Sequence, residues 1–230
     1  MAARFIKGLF GWFFGLLGAF IVLSIIWVLV YRFLPVPITW LMARDSLAGK
    51  RVEQVWVPLT AMSRSLPRAV IGAEDANFCF HNGIDFEAVK AAAAANVDGR
   101  KLRGGSTITQ QTAKNAFLWP ERSYLRKGLE VWFSLLIEAG WGKPRIMEVY
   151  LNIVEMGPGI YGMAAASKHY FGTSVDRLTP KQAARLTAIL PQPITRSVAK
   201  PSKSVRRYAR RIERRVRVVA DEHIDACLWK

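Results

Sequence analysis

Ala73-Glu74-Asp75-Ala76-Asn77-Phe78-Cys79-Phe80-His81-Asn82-Gly83 sets two adjacent carboxylates just after an apolar turn, Ala69-Val70-Ile71, and before a loop carrying His81 and Gly83. A carboxylate at the edge of an apolar segment is partly desolvated, which raises its proton affinity toward the range useful to a general base. An Asp-Glu pair at a helix end is also the ordinary form of a solvated cap. These residues alone therefore leave both readings open.

Upstream, the 24 residues from Gly8 to Tyr31 carry no charge and are dominated by Leu, Ile, Val, Phe and Trp. At roughly 1.5 Å per residue, a helix of this length crosses a hydrocarbon core of about 30 Å. Arg4 and Lys7 precede it, Trp12 sits near one end, and Tyr31 and Arg32 close the other as interfacial anchors would. The pattern predicts a cytoplasmic N-terminus with the remaining chain outside. Ser46 and Ala48 are spaced like a signal-peptidase site, but the apolar run is too long for a usual signal and ends well before them. An uncleaved single-pass anchor is expected over residues 1–34, then a linker over 35–50 begun by Pro35 and Pro37, then one domain over 51–230. A buried hairpin helix is the alternative to the anchor.

A chain of 230 residues has room for a core that needs no disulfide or metal staple. Cys79 and Cys227 are too few for a disulfide scaffold and too far apart to suggest a zinc site, and their spacing leaves open whether they pair. The net charge of +16 predicts an anionic partner: nucleic acid, a membrane surface or a phosphorylated substrate.

Past the linker, Val52–Leu59 is the one convincing extended segment, and Pro58 confines it to an edge or an end. The rest reads as helix. Pro67 opens a short helix leading to Glu74, Asp85 caps the next, and Ala91–Ala95 is a strong helix former. Thr107 and Gln110 fit a capping box, so a helix begins there with free backbone N–H groups beside Gly104 and Gly105. Such an N-terminus attracts anions, and Arg103 and Lys114 add full positive charge; the same residues also fit a plain capped helix with solvated cations.

Asn115–Pro120 is apolar and reads as core or as a lip dipping into lipid. A long helix from Ser123 to about Ala139 sets Arg126 and Glu130 on one face, with Arg122 four residues earlier. On an exposed helix that ion pair is worth only about 0.3 to 0.5 kcal/mol. Pro144 starts the next helix, Gly157 to Gly162 form a loop, Gly162–Phe171 resumes as helix, and Thr179-Pro180 begins another that stops at Leu190. From Lys200 to Arg217 nine basic residues face one acid, Glu213, while Val205, Tyr208, Ile212, Val216 and Val219 form an apolar seam. This is an amphipathic helix with a basic face. Beside a membrane anchor, it suits anionic headgroups better than nucleic acid.

With these segments placed, the sequence resembles the peptidoglycan glycosyltransferase family in its single-domain, membrane-anchored, monofunctional form. Four motifs carry the resemblance: Glu74-Asp75-x-x-Phe78-x-x-His81-x-Gly83, Gly104-Gly105-Ser106-Thr107-Ile108-Thr109-Gln110-Gln111, Arg126-Lys127-x-x-Glu130, and Ile146-Met147-Glu148-x-Tyr150-Leu151-Asn152. The resemblance implies a mainly α, lysozyme-like domain. It also implies polymerisation of lipid II, an undecaprenyl-pyrophosphate-linked disaccharide pentapeptide, into glycan strands. On the family pattern Glu74 is the base acting on the acceptor 4-hydroxyl, and Glu130 is the second essential carboxylate, near the donor. Lys114, Arg122, Arg126 and Lys127 fall where the family binds pyrophosphate. Ser106, Gln110 and Gln111 match its polar contacts, and Asp75, Phe78, His81 and Thr107 complete the expected substrate-binding set.

The chemistry agrees with the resemblance. Attack by an alcohol on an anomeric carbon needs a base on one side and, on the other, cations to take up the charge of a departing pyrophosphate. A divalent cation, Mg2+ or Mn2+, could share that charge, although no ligand cluster in the sequence requires one. The expected partners are lipid II, nascent glycan and membrane lipids, with other cell-wall synthesis proteins beyond them, and not nucleic acid. The expected location is the outer (periplasmic) side of the inner membrane. Two other classes fit parts of the chain: a lysozyme-like lytic enzyme, which needs no cations around a pyrophosphate, and a membrane-tethered nucleic-acid or scaffold protein using the basic tail.

Overall fold

An apolar helix, α1 (Ala2–Phe33), opens the chain, and its stretch Gly11–Phe33 is long and apolar enough to cross a membrane. The computed structural model describes residues 2–90 and 105–229, with side chains of α1 from Gly11 onward. The helix expected at Ala91–Ala95, together with Arg103 and Gly104, lies outside the described residues.

The second half of α1 is docked on the protein rather than bare. Ser24 and Val28 are buried, the Trp132 indole donates to Ser24 Oγ at 3.1 Å, and the Trp141 indole donates to the Val28 carbonyl at 2.7 Å. Phe117 stacks on Phe133 and on Tyr31, and Trp27 meets both phenylalanines edge-on. Of the two readings of Asn115–Pro120, the structure selects core: Ala116, Phe117 and Leu118 are buried, with Phe117 against Trp27 and Tyr31 of α1.

The segment expected as a linker contains α2 (Trp40–Leu47), capped by the Thr39 hydroxyl. Its Asp45 is buried and accepts from the Tyr161 hydroxyl and the Lys50 ammonium. A buried carboxylate is tolerated only with such partners, so residues 40–50 are fastened to the domain. The extended stretch after them is shorter than its sequence suggests. β1 (Glu53–Gln54) lies at the edge of a three-stranded sheet in the order β1-β3-β2, with β2 (Glu155–Gly157) running into the expected glycine loop and β3 (Ile160–Tyr161) inside it. Gly159 lets β1 approach, since a Cβ there would sit 2.1 Å from the Arg51 carbonyl.

The remaining helices start close to where their sequences predict: α3 (Ser65–Glu74), α4 (described over residues 86–90 after its cap Asp85), α5 (Ile108–Phe117), α6 (Tyr124–Trp141), α7 (Lys143–Ile153), α8 (Met163–Phe171), α9 (Pro180–Thr187) and α10 (Lys203–Asp221). The capping box Thr107/Gln110 is formed, as are the caps at Ser123 and Ser202. Helix α7 is the hub. Ile146, Met147, Val149, Tyr150, Leu151, Asn152 and Ile153 are all buried, the pattern of a helix covered on every side. Its polar members clamp the extended segment: Asn152 pairs with both the N–H and the carbonyl of Val57, and Glu148 accepts from the Leu59 N–H. Helix α10 buries Val205, Ala209, Ile212, Val216 and Val219 against α3 and α9, at about 1.5 to 3 kcal/mol for each fully buried valine or isoleucine.

Cys79 and Cys227 pair, 148 residues apart. The bond ties the loop after Glu74 to the segment following α10.

Candidate active site

Glu74 is the last residue of α3, half-buried, and lines a groove of about 550 Å3 between α3 and α10. Burial holds its carboxyl above the usual carboxylate range and the neighbouring Asp75 adds to this, while the Gln111 amide and Arg196 pull the other way. The Gln111 amide donates to Glu74 Oε2 at 3.3 Å, and its oxygen accepts from the Tyr150 hydroxyl at 3.2 Å. Burial pushes the Tyr150 phenol far up, so it stays a donor and fixes which end of the amide faces Glu74. The result is a carboxylate with raised proton affinity, oriented from behind and open in front.

The opposite wall was not legible residue by residue. Arg196, Tyr208, Arg211 and Arg215 line the same groove, with Arg215 held by a hydrogen bond to the Gly72 carbonyl and Arg196 by one to Ala188. The sequence marked Lys200–Arg217 only as a basic face, since nothing local says which arginines turn toward Glu74.

A second cavity, of about 380 Å3, contains Lys114, Gln111, Asn115, Trp119, Arg44 and Glu155, and shares Pro191 with the first. Gln111 thus touches Glu74 and also lines the Lys114 cavity, so one side chain adjoins both spaces. Burial pulls the Lys114 ammonium below its ordinary range, Glu130 counteracts this, and Arg126, Lys127 and Arg122 lower it further. Glu130, which interacts electrostatically with Lys114, is buried outside the lining of this cavity, bound to Arg126 at 3.0 Å and to Lys127. The pair is therefore not the exposed one of little worth. Glu130 fixes its cations near Lys114, and Arg126 Nε finds no acceptor among the described residues. Arg122 and Lys127 are exposed at the rim of α6.

The rest of the expected substrate set lies beneath the groove. Asp75 is buried, accepting from His81 Nε2 at 2.9 Å and from the Ile108 N–H at 2.9 Å. Since the Gly83 N–H donates to His81 Nδ1, the imidazole proton sits on Nε2. Phe78 is fully buried with the Lys143 ammonium over its ring, and Lys143 also binds the His81 carbonyl and Glu138. Thr107 and Gln110 are spent on capping α5, with Thr107 also donating to the Gly83 carbonyl. None of these lines either cavity; they hold the Glu74 loop against the start of α5. Ser106 is half-buried at that helix start.

A family model described as Transglycosylase matches residues 42–222. The chain belongs to the transglycosylase family. Its lysozyme-like helical domain accounts for the mainly α architecture found here. The family match begins inside α2, in keeping with the packing of residues 40–50 on the domain. The chain is 50% identical over 216 residues to a biosynthetic peptidoglycan transglycosylase of Caulobacter vibrioides, covering 93% of this chain and 94% of that one. It is similarly 47% identical to those of Bdellovibrio bacteriovorus (91% and 86% covered) and Aeromonas hydrophila (87% of each). For a transglycosylase, the pairing of a proton acceptor with a cation cluster is the expected division of labour.

Proposed function

We propose that this chain polymerises lipid II into linear glycan strands. Glu74 takes the proton from the acceptor sugar's 4-hydroxyl as that oxygen attacks the donor's anomeric carbon. The bond to the diphosphate breaks, and its electron pair leaves with undecaprenyl pyrophosphate. Lys114, with Arg126 and Lys127 held by Glu130 and with Arg122 at the rim, stabilises the departing charge. A base contributes typically about 100- to 10,000-fold, so positioning and fixed positive charge supply much of the remainder. The observation that carries this reading is the Gln111 bridge: one side chain orients the Glu74 carboxylate and lines the Lys114 cavity.

Among the described residues no three His, Cys, Asp or Glu side chains gather into a metal cage. A Mg2+ or Mn2+ ion would be held chiefly by the diphosphate, with Glu155 the carboxylate at hand in the same cavity. When bound, it would neutralise part of the diphosphate charge. The apolar span at Gly11–Phe33 and the disulfide, a bond of oxidising compartments, support an inner-membrane anchor with the domain on the periplasmic side. The docking of α1 on α6 supports a domain held close to the lipid that carries its substrate.

The test is synthesis of glycan from purified lipid II by wild type and by Glu74→Gln, with circular dichroism to show that the variant is folded. Synthesis by wild type and none by the folded variant is expected. Retained synthesis by Glu74→Gln would remove Glu74 from its role.

A further inference from the structure

On the other flank of α10 lies a groove of about 540 Å3 that the reaction does not use. Lys181 and Arg185 stand on its α9 wall, Arg206 and Arg210 on its α10 wall, and Val205 and Ala209 belong to its apolar floor; Glu213 is the one acid in the lining. Two of the cations are built in: Arg185 donates to the Val198 carbonyl and lies over the Phe171 ring, and Arg206 donates to the Pro201 carbonyl. Lys181 and Arg210 make no ion pair among the described residues.

The helix geometry places this groove next to the catalytic one. The Glu74 groove takes Ser204, Val205, Tyr208, Arg211 and Arg215 from α10, whereas this groove takes Val205, Arg206, Ala209, Arg210 and Glu213. At about 100° per residue, the two sets fall on opposite sides of the buried seam and meet at Val205 in the first turn. The shared residue, Val205, brings the two grooves together near the N-terminal end of α10.

We propose that this second groove binds the carboxylate-bearing peptide of the sugar unit held at Glu74. The inference rests on the polymerase reading and adds a peptide subsite to it. Reach is sufficient: a five-residue peptide extends up to about 17 Å, against a helix diameter of about 10–12 Å. Charge is complementary, since four cations against one acid suit free carboxylates. The apolar floor suits short aliphatic side chains, and adjacency to the Glu74 groove, with Val205 lining both, favours the substrate's own peptide over an acidic segment of another protein.

The test compares lipid II carrying its native pentapeptide with lipid II whose peptide carboxylates are amidated, using full-length wild type and Lys181→Gln/Arg210→Gln. Wild type should show a KM about fivefold lower for the native substrate. The double variant should lose that preference at unchanged kcat. Preference retained by the variant, or none in wild type, overturns the proposal. Binding of a soluble disaccharide pentapeptide and its amidated form to both proteins, measured by calorimetry, is read independently of polymerisation. Carboxylate-dependent binding lost in the double variant supports the subsite even if glycan synthesis fails, and binding equal in both proteins overturns it. Tighter binding of an unrelated acidic peptide than of the muropeptide would reassign the groove to a protein partner and also overturn it.

Discussion

The Tyr150 hydroxyl donates to the amide oxygen of Gln111 at 3.2 Å, and through that contact a fully buried phenol sets the face that Gln111 presents to Glu74. Tyr150→Phe keeps the ring and removes the instruction. The freed amide can turn its oxygen toward the carboxylate, an arrangement that repels the anion and raises its proton affinity further. We expect kcat to fall about tenfold, with KM little changed and about 1 kcal/mol lost in stability. A normal kcat in a folded Tyr150→Phe protein would show that Gln111 orients itself without help.

The pH profile follows from two shifted groups. On the proposed mechanism, activity requires Glu74 ionised and Lys114 protonated. Burial raises the first and lowers the second, so both limbs of the bell move inward from the usual carboxylate and lysine ranges. Lys114→Arg should move the alkaline limb upward, because a guanidinium stays charged where the buried ammonium does not. Rates measured from pH 4 to 10 check this; an unmoved alkaline limb would assign it to another group.

Glu74 should also cost the fold stability. Its folded proton affinity exceeds its unfolded one, so its contribution is fully present below the unfolded pKa and is lost as pH rises through the folded pKa. Glu74→Gln should therefore unfold at the same temperature as wild type or higher at pH 7, with the gap closing in acid. Thermal scans at pH 4 and 7 measure it, and a variant less stable at pH 7 than wild type would contradict the sign.

Much of this was legible because its causes are local. The Thr107/Gln110 box, the helix start at Ser123, the long apolar N-terminal helix and the α10 seam depend on residues close together in sequence, and the structure contains each of them. What stayed hidden depends on partners far apart in sequence. Arg215 meets Gly72 across 143 residues and Cys79 meets Cys227 across 148, and no spacing rule reaches that far. Asp75 and His81 show a subtler limit. Their motif was visible, but only the fold shows the Asp75 carboxylate turned to His81 and the Ile108 N–H, behind the site. The helix at residues 40–47 fell inside the stretch read as a linker because of the prolines before it, though Thr39 carries an ordinary cap signature.

The disulfide should matter to activity and not only to stability. Cys79 lies five residues beyond Glu74, and its partner follows the helix that forms the opposite wall of the groove. Closing a loop of this length stabilises by roughly 2 to 4 kcal/mol in typical cases. Cys79→Ser/Cys227→Ser should lower the melting temperature by about 4–16 °C and reduce kcat. Dithiothreitol should reproduce both effects in wild type while leaving the double variant unchanged, and a response of that variant to reductant would show a different target.

The docked anchor makes a last prediction. If α1 were only a tether, residues 1–33 could be removed without consequence for a detergent-free domain. Instead the structure covers Phe117, Phe133, Trp132 and Trp141 with Trp27, Val28, Tyr31 and Ser24. Cutting α1 away would expose that aromatic seam and the indole donor of Trp141, which is buried against the Val28 carbonyl. The truncated chain should aggregate without detergent and melt several degrees below the full chain with it. Within the full chain, Trp141→Phe removes the bond to Val28 and trims the ring packed against Phe117, costing about 1 kcal/mol or more, roughly 2–4 °C for each kcal/mol. Because α6 also carries Arg126 and Glu130, a loosened seam should raise KM for a lipid-borne donor more than it lowers kcat. Equal melting of Trp141→Phe and wild type in the same detergent would show that the helix rests on the domain without holding it.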